Sequence, residues 1–139
     1  MPKIYALSPD NRLCPLPLYG SKISAGFPSP ADEYVGDTLD LNEYLIHNKT
    51  ATFFVQVEGH SMIMAGINEG DLLIVDRSVP PRHQQIVIAL VDDEFTVKRL
   101  DLSDGLKLLA ENSDYPPIVP TGDDQVAIWG VVTAVVRKL

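Results

Sequence analysis

Two short segments carry side chains able to do covalent chemistry. The first is Glu58-Gly59-His60-Ser61-Met62, and the second is Glu94-Phe95-Thr96-Val97-Lys98-Arg99-Leu100. A serine that follows glycine where a strand ends is presented to a cleft, with nearby backbone N–H groups aimed the same way. Such an array receives the oxyanion of an acyl-transfer intermediate. The hydrolase elbow is a different arrangement, because it needs glycine two residues after the serine and Ile63 stands there. A serine at a strand end is by itself most often a turn residue, so Ser61 needs a base before it means chemistry.

Lys98 is the candidate base. Strand alternation puts Phe95 and Val97 on one face, with Thr96, Lys98 and Leu100 on the other. A lysine on a strand is ordinarily a solvated edge charge. General-base work demands the neutral amine instead. A free lysine titrates near about 10.4, so roughly one molecule in 10³ is neutral around pH 7. Apolar walls can bring that value down by roughly 3, equivalent to about 4 kcal/mol of disfavoured charge. Met62, Val97 and Leu100 are placed in the sequence to supply such walls.

The elements that must hold these groups read as strands. The chain has 139 residues, 45% of them hydrophobic, which suits one domain with a real core. Nine glycines and eleven prolines fall largely between short apolar runs, the pattern of strands joined by turns. From Thr52 onward Phe53, Val55 and Val57 alternate with Gln56 and Glu58, and Leu72-Leu73-Ile74-Val75 forms a second run. Residues 86–91 are apolar throughout, as for a strand buried on both faces. Asp92-Asp93 reads as a hairpin turn leading into the strand of Lys98. Leu106–Ala110 and Val126–Val136 complete the set, with Gly130 as the expected bulge.

Ahead of these strands, residues 1–30 read as a flexible, extended arm. Prolines at 2, 9, 15, 17, 28 and 30 disfavour helix there. Lys3, Arg12 and Lys22 outnumber Asp10 in that stretch, so the acidity is concentrated in the body. Leu39, Leu41, Tyr44 and Leu45 suggest a short helix, capped by Asp40 or Asn42 and stopped at Asn48. The expected architecture is therefore an arm over 1–30 and a compact, strongly bent, mainly β domain over 31–139. At most one or two short helices are expected.

Composition excludes several classes of function. A formal charge of −8 makes the chain a poor stand-alone DNA binder, since phosphates repel it. Cys14 is the only cysteine, so no internal disulfide forms. His47, His60, His83 and Cys14 lack ligand spacing, and no metal or cofactor is expected. The N-terminus lacks a signal-peptide pattern and no apolar run is long enough to span a membrane, so the expected location is the cytoplasm.

Several separate motifs occur together in a recognisable order. They are Gly26-Phe27-Pro28-Ser29-Pro30-Ala31, Gly59-His60-Ser61-Met62, Gly66-Ile67, Gly70-Asp71, Glu94 to Leu100, Asn112-Ser113 and Trp129-Gly130-Val131-Val132. From about residue 18 to the C-terminus the chain resembles the UmuD family, relatives of LexA and of the phage repressors that cleave themselves. His60 and Met64-Ala65 depart from the family pattern without removing a named catalytic group. The resemblance implies a β domain of the LexA C-terminal type, with Ser61 as nucleophile and Lys98 as general base and later acid. It implies a scissile bond at Ala25–Gly26 in the chain's own arm, and backbone N–H groups of His60 and Ser61 as oxyanion donors. Small Ala25 and Gly26 would let a strand approach the nucleophile closely, and Gly26 permits an unusual backbone kink. The implied partners are a second copy, the RecA filament on single-stranded DNA, and a UmuC-type translesion DNA polymerase that takes up the shortened form. The rival expectation is a non-catalytic dimeric binding module that keeps the LexA-like fold.

Overall fold

The computed structural model describes residues 3–6, 13–20, 22–28 and 35–139. Residues 1–2, 7–12, 21 and 29–34, and with them the boundary expected at 30/31, lie outside the described residues. The strands are β1 (Lys3–Ala6), β2 (Leu16–Tyr19), β3 (Val35–Leu39), β4 (Thr52–Gln56), β5 (Leu72–Asp76), β6 (Ile86–Val91), β7 (Glu94–Asp101), β8 (Lys107–Leu109) and β9 (Val126–Val136). One α-helix, α1 (Leu41–Leu45), is present among the described residues, so the mainly β reading holds. No described helix is long and apolar enough to cross a membrane.

The chain forms two compact units. One is Ser8–His47. Within it β2 pairs antiparallel with β3, Leu16 opposite Leu39 and Pro17 opposite Thr38. Proline is tolerated there because an edge strand need not donate from every residue. Asp40 caps α1 by accepting the Asn42 N–H at 2.9 Å, and its other oxygen accepts the Cys14 N–H at 2.6 Å. Of the two caps considered from sequence, Asp40 is the one used. The helix ends at Ile46, and Asn48 instead opens a 3₁₀ turn over Lys49–Ala51.

The other unit holds β1 and everything from Asn48 to Leu139. Its seven strands are ordered β1-β4-β5-β9-β6-β7-β8. Every named pairing is antiparallel. β6 buries both faces, as its unbroken apolar run requires. Ile88 joins Val55, Val57, Met62, Ile67, Leu73, Val75 and Val97 in one core cluster. Val87 and Ala89 point the other way, into a second cluster with Leu100, Leu108 and Val131. The β6–β7 hairpin closes through Asp92 and Asp93, at φ +47° and +66°. Two consecutive positive φ values define the turn whose twist matches its flanking strands.

β9 joins the two halves of the sheet. Its first half pairs with β6 and its second half with β5, and Val131 is registered with both. The bend does not fall on Gly130 as sequence suggested. Gly130 keeps its partner Ile88, while the register slips past Trp129 on the β6 side and past Thr133 on the β5 side. An extra residue on one strand bends it and sharpens its twist. Trp129 is thereby set between Phe53 and Phe95, with ring centroids 5.3 and 5.5 Å away, and the Arg77 guanidinium lies 4.6 Å above it.

Gly130 is needed for a different reason. A β-carbon there would lie 2.5 Å from Val75 Cγ1 and 3.2 Å from Arg77 Cγ. Gly130→Ala is therefore expected to lower stability by about 1–3 kcal/mol, read as a drop in the urea midpoint. An unchanged midpoint would show that Val75 turns aside at no cost.

Candidate active site

Gly59, at φ +88°, turns the chain out of the strand that ends near Val57. A side chain is strained at that φ, so glycine suits the position. The following loop carries Ser61 and then a 3₁₀ turn over Ile63–Ala65, ended by Gly66 in the left-handed conformation. Met62, 2% exposed, anchors the loop in the first core cluster. The loop is also tied from outside. Glu111 N–H donates to the Ser61 carbonyl at 2.8 Å, Met64 N–H donates to the Glu111 carbonyl at 2.9 Å, and Asn112 Nδ2 donates to the His60 carbonyl at 2.8 Å.

Lys98 reaches this loop from β7. Its Nζ lies 3.0 Å from Ser61 Oγ, 2.8 Å from Thr96 Oγ1 and 3.1 Å from the Val97 carbonyl oxygen. The side chain is only 7% exposed. Burial pushes its amine below the ordinary lysine value. Burial penalises the charged form, and among the described residues no acid pairs with Lys98 to restore it. Nζ thus sits among two hydroxyls and one backbone carbonyl, within hydrogen-bond distance of all three.

An open cleft of about 370 Å³ lies beside the pair, lined by Val57, Gly59, Ser61, Met62, Phe95 and Thr96 among others. Met62 and Val97, two of the three expected walls, border it. Leu100 does not; two residues further along β7, it packs with Leu108 and Val87 in the second cluster. The two residues separated by 37 positions in sequence are thus brought within hydrogen-bond distance.

The remaining expected residues are placed as follows. His60 is exposed, with Nε2 3.7 Å from Glu69 Oε2. Among the described residues, the N–H groups of His60 and Ser61 have no acceptor. Ala25 and Gly26 belong to the Ser8–His47 unit, where they form an exposed bend. Gly26 is outside the left-handed region and has open space where a β-carbon would sit. Sequence reasoning missed two contributors. Thr96 shares the Lys98 face by simple alternation, yet only the contact at Nζ reveals what it does. Asn112 lies 52 residues from the carbonyl it binds, and no local spacing rule connects them.

Comparison with known proteins identifies the family. The family model described as Peptidase S24-like matches residues 17–133. Protein SamA of Salmonella typhimurium is 47% identical over 122 residues, covering 88% of this chain and 85% of SamA. Protein MucA of Escherichia coli is 44% identical over 131 residues, covering 94% of this chain and 90% of MucA. The LexA repressor of Bordetella pertussis is 42% identical over 123 residues, covering 88% of this chain and 56% of the repressor. A family match across most of the chain, and likeness to SamA and MucA over most of both partners' length, lead to one statement: the chain belongs to the Peptidase S24-like family, on its UmuD side.

Proposed function

We propose that the chain is a self-cleaving serine endopeptidase of the SOS response that cuts its own Ala25–Gly26 bond, using Ser61 as nucleophile and Lys98 as base. The observation that carries this reading is the 3.0 Å approach of a buried Lys98 amine, with no acidic partner among the described residues, to the Ser61 hydroxyl. The neutral amine takes the hydroxyl proton as Oγ bonds to the Ala25 carbonyl carbon. The N–H groups of His60 and Ser61 receive the oxyanion. The resulting Lys98 ammonium returns its proton to the Gly26 nitrogen as the peptide bond breaks. Water, losing a proton to Lys98, then attacks the Ala25 ester, freeing the Ala25 carboxylate and restoring Ser61.

A tethered substrate is present at high effective concentration, so a modestly activated pair suffices. Tethering also demands restraint until a signal arrives. In this reading the RecA filament on single-stranded DNA supplies that signal. The shortened form, as a homodimer, then serves a UmuC-type translesion DNA polymerase. The acidic charge fits a role near DNA that leaves DNA contact to partners.

The test is incubation of the purified full chain at neutral and alkaline pH, with mass spectrometry of the products. The expected result is slow release of a fragment ending at Ala25, faster in alkali and faster still at neutral pH with RecA, ATP and single-stranded DNA. No cut under either condition would leave the non-catalytic binding module as the better reading.

A further inference from the structure

The backbone around Ser61 is aimed by a side chain outside its own loop. We infer that Asn112 is a positioning residue that orients the His60–Ser61 peptide, so that the Ser61 N–H is held ready for the oxyanion. This rests on the proposed Ser61–Lys98 chemistry.

A trans peptide unit is planar, and its C=O and N–H point in opposite directions. Whatever fixes the His60 carbonyl therefore fixes the direction of the Ser61 N–H. Asn112 Nδ2 donates to that carbonyl at 2.8 Å, from the side away from the N–H. The amide of Asn112 is itself oriented. Its Oδ1 accepts the Asp114 N–H at 3.0 Å, and its own carbonyl accepts the Tyr115 N–H at 3.1 Å. With the oxygen engaged by a donor, the NH₂ must face His60. The Asn112 side chain thus does two separable things: its oxygen closes a local turn, and its nitrogen holds the nucleophile's peptide.

The next peptide is held from the same segment. Glu111 N–H binds the Ser61 carbonyl, which sets the direction of the Met62 N–H. Glu111 is in turn gripped by Arg99, whose Nε lies 2.5 Å from Glu111 Oε1 and whose Nη1 donates to the Gln84 carbonyl at 2.7 Å. Arg99 is the neighbour of Lys98 on β7. One strand therefore carries the base and, through Arg99 and Glu111, the brace for the loop that Asn112 aims. A flipped His60–Ser61 peptide would point a carbonyl where the oxyanion forms, so loss of the brace costs rate without touching the base.

Because the two tasks of Asn112 use different atoms, they can be separated. Asn112→Asp keeps an oxygen for the Asp114 N–H but sets a second acceptor against the His60 carbonyl. Asn112→Ser keeps a turn-forming oxygen and is too short to reach His60. In the full chain at alkaline pH, both variants are expected to release the Ala25 fragment about 10- to 100-fold more slowly. Labelling of Ser61 by diisopropyl fluorophosphate, followed by mass, should slow in parallel. In Asn112→Ser, which adds no charge, the pH midpoint of cleavage and the thermal midpoint should stay at their wild-type values, since base and fold are untouched. Cleavage at the wild-type rate by either folded variant overturns the inference. So does a slowing in Asn112→Ser that follows a fall in thermal midpoint or a moved pH midpoint, which would mark a structural role. Ser61→Ala and Lys98→Ala run alongside. If either of those still cuts, it is the dyad reading that fails, whatever Asn112 does.

Discussion

Ser61→Ala and Lys98→Ala should each slow release of the Ala25 fragment by about 10³-fold or more, and the double variant should be no slower than either. In the proposed mechanism the two residues act as one unit, so removing the second has nothing left to remove. The pH profile carries the sharper information. Below its native titration point Lys98 is an ammonium and has no lone pair for the Ser61 proton. The rate must then climb about tenfold per pH unit until the amine is neutral, and level off above. Burial lowers the native value, so the levelling should begin below the ordinary lysine range near about 10.4. Stability follows the same sign. Between the lowered native value and the ordinary one, the unfolded chain holds a proton that the folded chain has shed, so stability rises with pH across that window. A rate that levels only at the value of a free lysine would mean that the amine is solvated, and the proposed base would be lost with it.

Much of this site could be read before any coordinates. The alternation in β4, the unbroken apolar run of β6 and the Asp92-Asp93 turn each depend on neighbours a few residues away. Local periodicity records such things directly. It placed Thr96 and Lys98 on one face, and the structure adds the hydrogen bond between them. The sheet order was not legible, because β9 lies between β5 and β6 through contacts that no nearby residue encodes. Gly130 shows the difference well. As a glycine within a strand it suggested a bulge, yet the bulge falls on Trp129 and the glycine answers to Val75 on a distant strand. Asn112 is a similar case: its turn with Asp114 is local, while its bond to His60 depends on how the halves of the domain meet. The family motifs brought Ser61 and Lys98 forward together, and the geometry supplies what motifs lack, namely the burial and the partners of the amine.

The bond pattern that closes the Ser61 loop predicts a loss of stability in Arg137→Ala. Asp71 is 2% exposed, and its carboxylate takes Nε of Arg137 on one oxygen and Nη2 on the other, each at 2.6 Å. The same Nη2 donates to the Gly66 carbonyl at 2.8 Å, and Asn68 N–H donates to the carboxylate at 2.7 Å. Asp71 also accepts the Val57 N–H through its backbone carbonyl, and Gly70 N–H returns to Val57. Both ends of the 57–71 loop that carries Ser61 are therefore fastened here. The Arg137 hydrogen bonds hold the Asp71 carboxyl below its usual range against the opposing effect of burial, with Asn68 adding to the pull. Without Arg137 a buried charge keeps one backbone donor. Because the arginine side chain is 43% exposed, solvent screens part of the pair, and the loss is expected as a lowered urea midpoint rather than as unfolding. The sign with pH is fixed by the lowered value. In the wild type this contribution is complete above the ordinary carboxylate range near about 3.9 and disappears as pH falls through the native value. In Arg137→Ala the downward pull is gone while burial remains, so acid unfolding should start at higher pH. Urea midpoints measured across the acid range decide it. Matching curves for the two proteins would mean that Asp71 is satisfied by its backbone donor alone, and that Arg137 only decorates the end of β9. Arg137→Lys should recover part of the loss at most, since a lysine cannot serve both carboxylate oxygens and the Gly66 carbonyl in one plane.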